Sequence, residues 1–127
     1  MRLAIDTNRY RDLCDAVPEV VDTVARAREV FVPLFVLAEL RAGFALGRRG
    51  RENERTLTRF LDKPGVELLV PGESTTRAYA ELYRQLRSQG TPIPTNDLWI
   101  AALVVEHGLS LLTRDPHFRH LPQLELV

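Results

Sequence analysis

The segment Arg2-Leu3-Ala4-Ile5-Asp6 (RLAID) is a short apolar run that ends in an acid. Apolar residues without alternation over this length read as a strand buried on both faces, as in a parallel sheet. A polar turn follows, so Asp6 stands at the carboxyl end of that strand. Its counterpart lies far down the chain in Leu109-Ser110-Leu111-Leu112-Thr113 (LSLLT), with Asp115 two residues beyond.

The intervening sequence alternates strand and helix signals. A short helix is expected near Asn8 to Cys14. In the next, Pro18 suits the first position, Glu19 the positive end, Arg26 and Arg28 the negative end, and Val21, Val24 and Ala25 form an apolar stripe. Val30 to Val32 reads as a second strand stopped by Pro33. LFVLAELRAGFAL, residues 34–46, is helical, with Val36, Leu37, Leu40 and Phe44 on one side. A helix of about Glu52 to Leu61 carries Leu57, Phe60 and Leu61 at one-sided spacing and ends at Pro64-Gly65.

Val66 to Val70 is a third strand. The helix after it aligns Ala78, Tyr79, Leu82, Tyr83 and Leu86, with Gly90 just past its end. DLWIAALVVEH, residues 97–107, has no wet face and belongs in the centre, with Thr95 or Asn96 as its expected N-cap, Gly108 closing it and Trp99 packed in the core. LSLLT is the fourth strand, and LELV at the C-terminus offers a fifth at an edge. This pattern specifies an α/β fold: a mainly parallel central sheet of four to five strands with helices on both faces. With 127 residues and no repeat, linker or low-complexity tract, residues 1–127 are expected to form one domain.

Composition is that of a folded globular chain, 45% hydrophobic and 27% charged. No apolar run approaches the roughly 18 residues of a membrane span, and MRLAIDTN turns polar too early for a secretory leader, so a cytoplasmic protein without membrane association is expected. Cys14 has no partner for a disulfide, and small apolar filler is its expected role. Seventeen basic residues balance seventeen acidic ones, so net charge does not announce a nucleic-acid binder. Arginines 41, 48, 49, 51, 55 and 59 are opposed locally only by Glu52 and Glu54, a cluster that fits either a phosphate backbone or a solvated helix face.

Ligand sites in open parallel sheets lie at the carboxyl ends of strands, where Asp6 and Asp115 fall. Asp97 opens the apolar helix, at the positive end that favours an anion. Glu39 is out of place: positions 35, 38, 39, 42 and 46 read Phe, Ala, Glu, Ala and Leu, an acid within an apolar stripe. A buried carboxylate needs a cation, either an arginine, with Arg41 two positions from Glu39 and Arg114 beside Asp115, or a metal shared with other acids. Oxygen donors without Cys or His favour a hard ion, Mg²⁺ or Mn²⁺. His117 and His120 lack the further Cys and His that complete a zinc site.

Asp6-Thr7-Asn8 after an apolar strand, Glu39 within LAEL, Asn96-Asp97 before LWIAA, and Thr113-Arg114-Asp115 after LSLL together resemble the motif set of PIN-domain nucleases, most closely the VapC-type toxin ribonucleases of toxin-antitoxin pairs. The resemblance spans essentially the whole chain. It implies a metal-dependent endoribonuclease in which Asp6, Glu39, Asp97 and Asp115 bind Mg²⁺ or Mn²⁺ and carry catalysis. Thr7, Asn8, Asn96 and Thr113 are then supporting or substrate-positioning groups. It also implies an RNA substrate, a small antitoxin protein that blocks the site, and a homodimer. The loop from Gly47 to Asn53 matches no motif.

Two other classes compete. Phosphatase or receiver-like phosphoryl-transfer domains also gather acids at strand ends, but they add a second acid near the first and a lysine, whereas position 8 is Asn and the only lysine is Lys63. A catalytically silent RNA- or protein-binding module does not need the intact acid set.

Overall fold

The computed structural model describes residues 1–127. Strands β1 (Arg2–Ile5), β2 (Glu29–Pro33), β3 (Val66–Leu69), β4 (Ser110–Leu112) and β5 (Glu125–Leu126) alternate with helices α1 (Thr7–Cys14), α2 (Pro18–Arg26), α3 (Leu34–Leu46), α4 (Gly50–Leu61), α5 (Glu73–Gln89) and α6 (Thr95–His107). A 3-10 turn at Pro116–His120 precedes β5. The sheet runs β3-β2-β1-β4-β5 and every pairing is parallel.

The RLAI strand is therefore the central one. Leu3, Ala4 and Ile5 are all at 0% exposure, and because successive side chains point to opposite faces, both faces are covered. The chain builds β1, β2 and β3 in one direction and then returns to lay β4 on the other side of β1. That reversal opens a crevice beyond the carboxyl ends of β1 and β4. Helix α6 is the main element packed centrally: Ile100, Ala101, Ala102 and Leu103 have no exposed surface. Trp99 packs between α3 and α5, 5.5 Å from the Phe35 ring and 4.4 Å from that of Tyr79.

Several local expectations are corrected. In α2 the buried residue is Val20, with Val17 and Val24 beside it, while Val21 is 38% exposed and Ala25 faces out. Both residue sets satisfy helical spacing, and contact with the rest of the core decides between them. In α3 the core takes Val36, Leu37 and Leu40, and the stripe around Glu39 is not a core face: Ala38 and Ala42 are exposed and Leu46 is 92% exposed. Cys14 is exposed, so it fills nothing.

Helix α6 starts at Thr95, with Pro94 at the N-cap position and its carbonyl accepting from Leu98 N at 3.0 Å, so neither Thr95 nor Asn96 is the cap. Proline's preset φ, here −57°, feeds the helix directly. Helix α4 also starts early, at Gly50, which shortens the unmatched loop to Gly47–Arg49. Glycine allows this close turn, since a Cβ at Gly50 would lie 2.8 Å from the Phe44 carbonyl oxygen.

These exposures separate core from surface leucines. Leu103→Ala should lower unfolding free energy by about 2–5 kcal/mol, and Leu46→Ala should change it by no more than roughly 0.5 kcal/mol. Urea denaturation of both variants gives the comparison, and equal costs would contradict the described burial.

Candidate active site

Asp6 follows β1 directly and is 4% exposed. One carboxylate oxygen caps α1 by accepting from Thr7 N at 2.8 Å, and the other accepts from Thr113 Oγ1 at 2.7 Å. Thr113, just past β4, in turn accepts from Asp115 N at 3.0 Å. The ends of the two central strands are thus joined through one carboxylate. Thr7 Oγ1 reaches the other way and donates to Glu39 Oε1 at 3.3 Å, linking α1 to the second turn of α3.

Asp97 enters from the first turn of α6. Its Oδ2 lies 2.9 Å from His117 Nδ1, and the same nitrogen lies 3.0 Å from Asp115 Oδ1. Carboxylate oxygens accept, so Nδ1 carries the proton shared by these contacts. Asp115 also caps the 3-10 turn, accepting from His117 N at 3.0 Å. Donor atoms of Asp97, Asp115 and His117 all fall within 4.8 Å of one another, the spacing of a group able to hold a metal ion.

The electrostatics tie all four acids together. Burial raises the Asp6 pKa, the Thr113 and Thr7 hydrogen bonds oppose that rise, and the charge of Asp115 adds to it. Glu39 is raised by burial and by Asp6, with relief from Thr7, a further rise from Asp97 and a last, smaller lowering from the charge of Arg11. Asp97 is raised by burial, lowered in part by the His117 bond, and raised again by Asp115 and Asp6. His117 is raised, first by its hydrogen bond to Asp97 and also by the charges of Asp115 and Asp97, against a burial effect that lowers it. Crowded carboxylates that hold protons tightly are the signature of a site short of positive charge.

The sequence-derived residues divide plainly. Asp6, Glu39, Asp97 and Asp115 come together at one sheet edge, and Thr7 and Thr113 brace them. Asn8 keeps a buried Oδ1 with no hydrogen-bond partner. Asn96 is exposed on the first turn of α6. Neither arginine considered as a partner for Glu39 takes that part: Arg41 forms a two-pronged pair with Glu54 at 3.0 and 2.9 Å, and Arg114 bonds Asp12 at 3.0 Å. His117 was not singled out from sequence as part of the acid cluster. The available signal was its position two residues after a strand-end acid and next to a helix-starting proline.

Raised acids bind protons more readily folded than unfolded, so Asp6, Glu39 and Asp97 destabilise the fold near neutral pH and are relieved as pH falls through their raised values. His117, raised as a base, stabilises below its ordinary value, and that gain is lost as pH rises through the folded value. Both effects have one sign. Metal-free protein in EDTA should therefore gain thermal stability from about pH 8 down to about pH 5, and Asp97→Asn should be as stable as the wild type or more so at neutral pH. Below that window Glu54, held low by its Arg41 bond, works in the opposite sense. A flat or falling melting profile, or a strongly destabilised Asp97→Asn, would show that the carboxylates do not repel.

Comparison with known proteins places this arrangement in a family. The pattern described as PIN domain matches residues 10–124, beginning just after Asp6, Thr7 and Asn8. The chain is similar to ribonuclease VapC4 of Mycobacterium tuberculosis, 32% identical over 96 residues, which are 76% of this chain and 74% of that protein. It is also similar to plasmid stability protein StbB of Pseudomonas syringae pv. tomato, 33% identical over 121 residues, 89% and 87% of the two chains. Among solved structures, VapBC2 of Rickettsia felis bound to a promoter DNA fragment superposes with a TM-score of 0.85 at 26% identity, over 100% of this chain and 98% of that one. VapBC-1 of nontypeable Haemophilus influenzae, at 24% identity and a TM-score of 0.87 over 100% and 97% of the chains, has the same fold. The chain belongs to the PIN-domain family.

Proposed function

We propose that this protein is a metal-dependent endoribonuclease, the toxin of a type II toxin-antitoxin pair, acting on RNA in the cytoplasm. The observation that carries the reading is the coupling of Asp6, Glu39, Asp97 and Asp115 at the carboxyl ends of the central strands, and the ribonuclease relatives support it. The donor set fits a hard divalent ion: four carboxylates converge, no thiolate is among them, and no arginine or lysine forms an ion pair with any of the four. Asp6, Glu39, Asp97 and Asp115 would hold Mg²⁺ or Mn²⁺. When bound, that ion supplies positive charge against the scissile phosphate and acidifies the attacking water.

The chain's own residues do the rest. Thr113 and Thr7 hold the Asp6 and Glu39 carboxylates in place, which reduces the reorganisation left for the reaction. Asp97 or Glu39 takes the proton from water, a task for which a carboxylate raised towards neutrality is better suited than an ordinary one. In-line attack on phosphorus then leaves a 5′-phosphate and a 3′-hydroxyl. Asn8 and Asn96 are the groups assigned to substrate positioning.

The likeness to VapBC2 of Rickettsia felis, solved on a fragment of promoter DNA, supports a small DNA-binding antitoxin as partner. A cationic or apolar C-terminal segment of that partner would answer the acidic mouth. The exposed stripe Ala38, Ala42 and Leu46 on α3 supports the remaining element, a homodimer. Residues 1–127 act as one domain in this reading.

Cleavage of single-stranded RNA should appear with Mg²⁺ or Mn²⁺, vanish in EDTA, and fall at least about 10²-fold in Asp6→Asn and Asp97→Asn. Activity that survives either substitution or the chelator would refute the reading. Sedimentation at micromolar concentration should give a dimer, and a clean 14.4 kDa monomer would reject the self-association. Co-expression with the adjacent antitoxin gene should restore growth, and a complex that leaves cleavage untouched would count against blockade of the site.

A further inference from the structure

The acid cluster holds one side chain to which the reaction assigns nothing. His117 Nδ1 lies 2.9 Å from Asp97 Oδ2 and 3.0 Å from Asp115 Oδ1, and the donor atoms of the three residues fall within 4.8 Å of one another. Six donors around one ion at roughly 2.1 Å put neighbours about 3 Å apart and opposites about 4.2 Å apart. The two distances from Nδ1 match those of neighbouring ligands to a single cation, and the two carboxylate oxygens lie within 4.8 Å of each other.

The backbone holds the imidazole there. His117 N donates to Asp115 Oδ1 at 3.0 Å, Pro116 fixes the start of the 3-10 turn, and Phe118, at 0% exposure, anchors the turn in the core. The turn thus fixes the His117 backbone, and the half-exposed ring meets both acids through Nδ1. The other two histidines are placed elsewhere: His120 is exposed, and His107 lies 3.3 Å from Glu106.

We infer that His117 supplies a nitrogen ligand, through Nδ1, to the divalent cation held beside Asp97 and Asp115, and that this donor makes the site prefer Mn²⁺ to Mg²⁺. The inference rests on the reading that these acids bind a metal. On ligation the Nδ1 proton passes to solvent, and the two contacts to carboxylate are replaced by bonds to the shared ion. Mg²⁺ keeps to oxygen donors, whereas first-row transition ions accept imidazole more readily, so one nitrogen in a mostly oxygen site discriminates between them.

Pulsed electron paramagnetic resonance on the full chain loaded with Mn²⁺ reads the nitrogen directly. Wild type should show coupling to a coordinated ¹⁴N. His117→Gln should lose that coupling, bind Mn²⁺ roughly tenfold more weakly or worse, and show a smaller Mn²⁺-over-Mg²⁺ preference by calorimetry. Bound Mn²⁺ without nitrogen coupling in wild type, or coupling that persists in His117→Gln, would overturn the ligand assignment and leave the metal-dependent reading standing. Failure of wild type to bind Mn²⁺ at all would overturn both.

Discussion

The hydrogen bond from Thr113 Oγ1 to the buried Asp6 carboxylate, 2.7 Å long, crosses the ends of the two central strands. Much of the site depends on it. A carboxylate at 4% exposure is costly to keep charged, and the Thr113 hydroxyl together with Thr7 N makes the charged form tolerable. Because Thr113 also receives Asp115 N, the same hydroxyl sets where the following loop turns and hence where Asp115 and His117 sit. Strand pairing between β1 and β4 and the chemistry at their ends are one construction.

That construction carries an electrostatic debt. Burial and mutual repulsion raise Asp6, Glu39 and Asp97; His117 touches only Asp97 and Asp115, and the charge of Arg11 offsets the rise at Glu39 only in small part, without an ion pair. Most arginines are committed elsewhere or point to water: Arg41 to Glu54, Arg114 and Arg9 to Asp12, Arg77 to Glu73. Arg48, Arg51 and Arg55 are exposed on the α3–α4 corner without an ion pair. The chain is neutral overall, yet no arginine or lysine forms an ion pair with the acid cluster, which leaves that mouth for a cation from outside.

The sheet and its acids were legible in the sequence because their signals are local. An apolar run that ends in Asp is readable wherever the strand pairs, and RLAID and LSLLT with Asp115 put two of the acids at one edge of the sheet. Asp97 was legible as an acid at the start of an apolar helix. Glu39 stands out in the sequence as an acid within an apolar stripe, yet Ala38, Ala42 and Leu46 of that stripe are exposed, and its link to the site runs through Thr7. What stayed hidden depends on tertiary packing. Which of two equally spaced faces of α2 is buried, and whether a histidine in a loop turns towards acids from two other elements, cannot be read from periodicity. The start of α6 is likewise hidden from sequence, because Pro94 takes the cap position where side-chain oxygens are the usual signal.

The most direct test of the central claim is an anomalous difference map from crystals grown in Mn²⁺. The account predicts a peak enclosed by the carboxylates of Asp6, Glu39, Asp97 and Asp115, absent in crystals of Asp97→Asn grown in the same way. Crystals saturated with Mn²⁺ that show no peak there, or a peak held only by residues outside the four acids and His117, would contradict it.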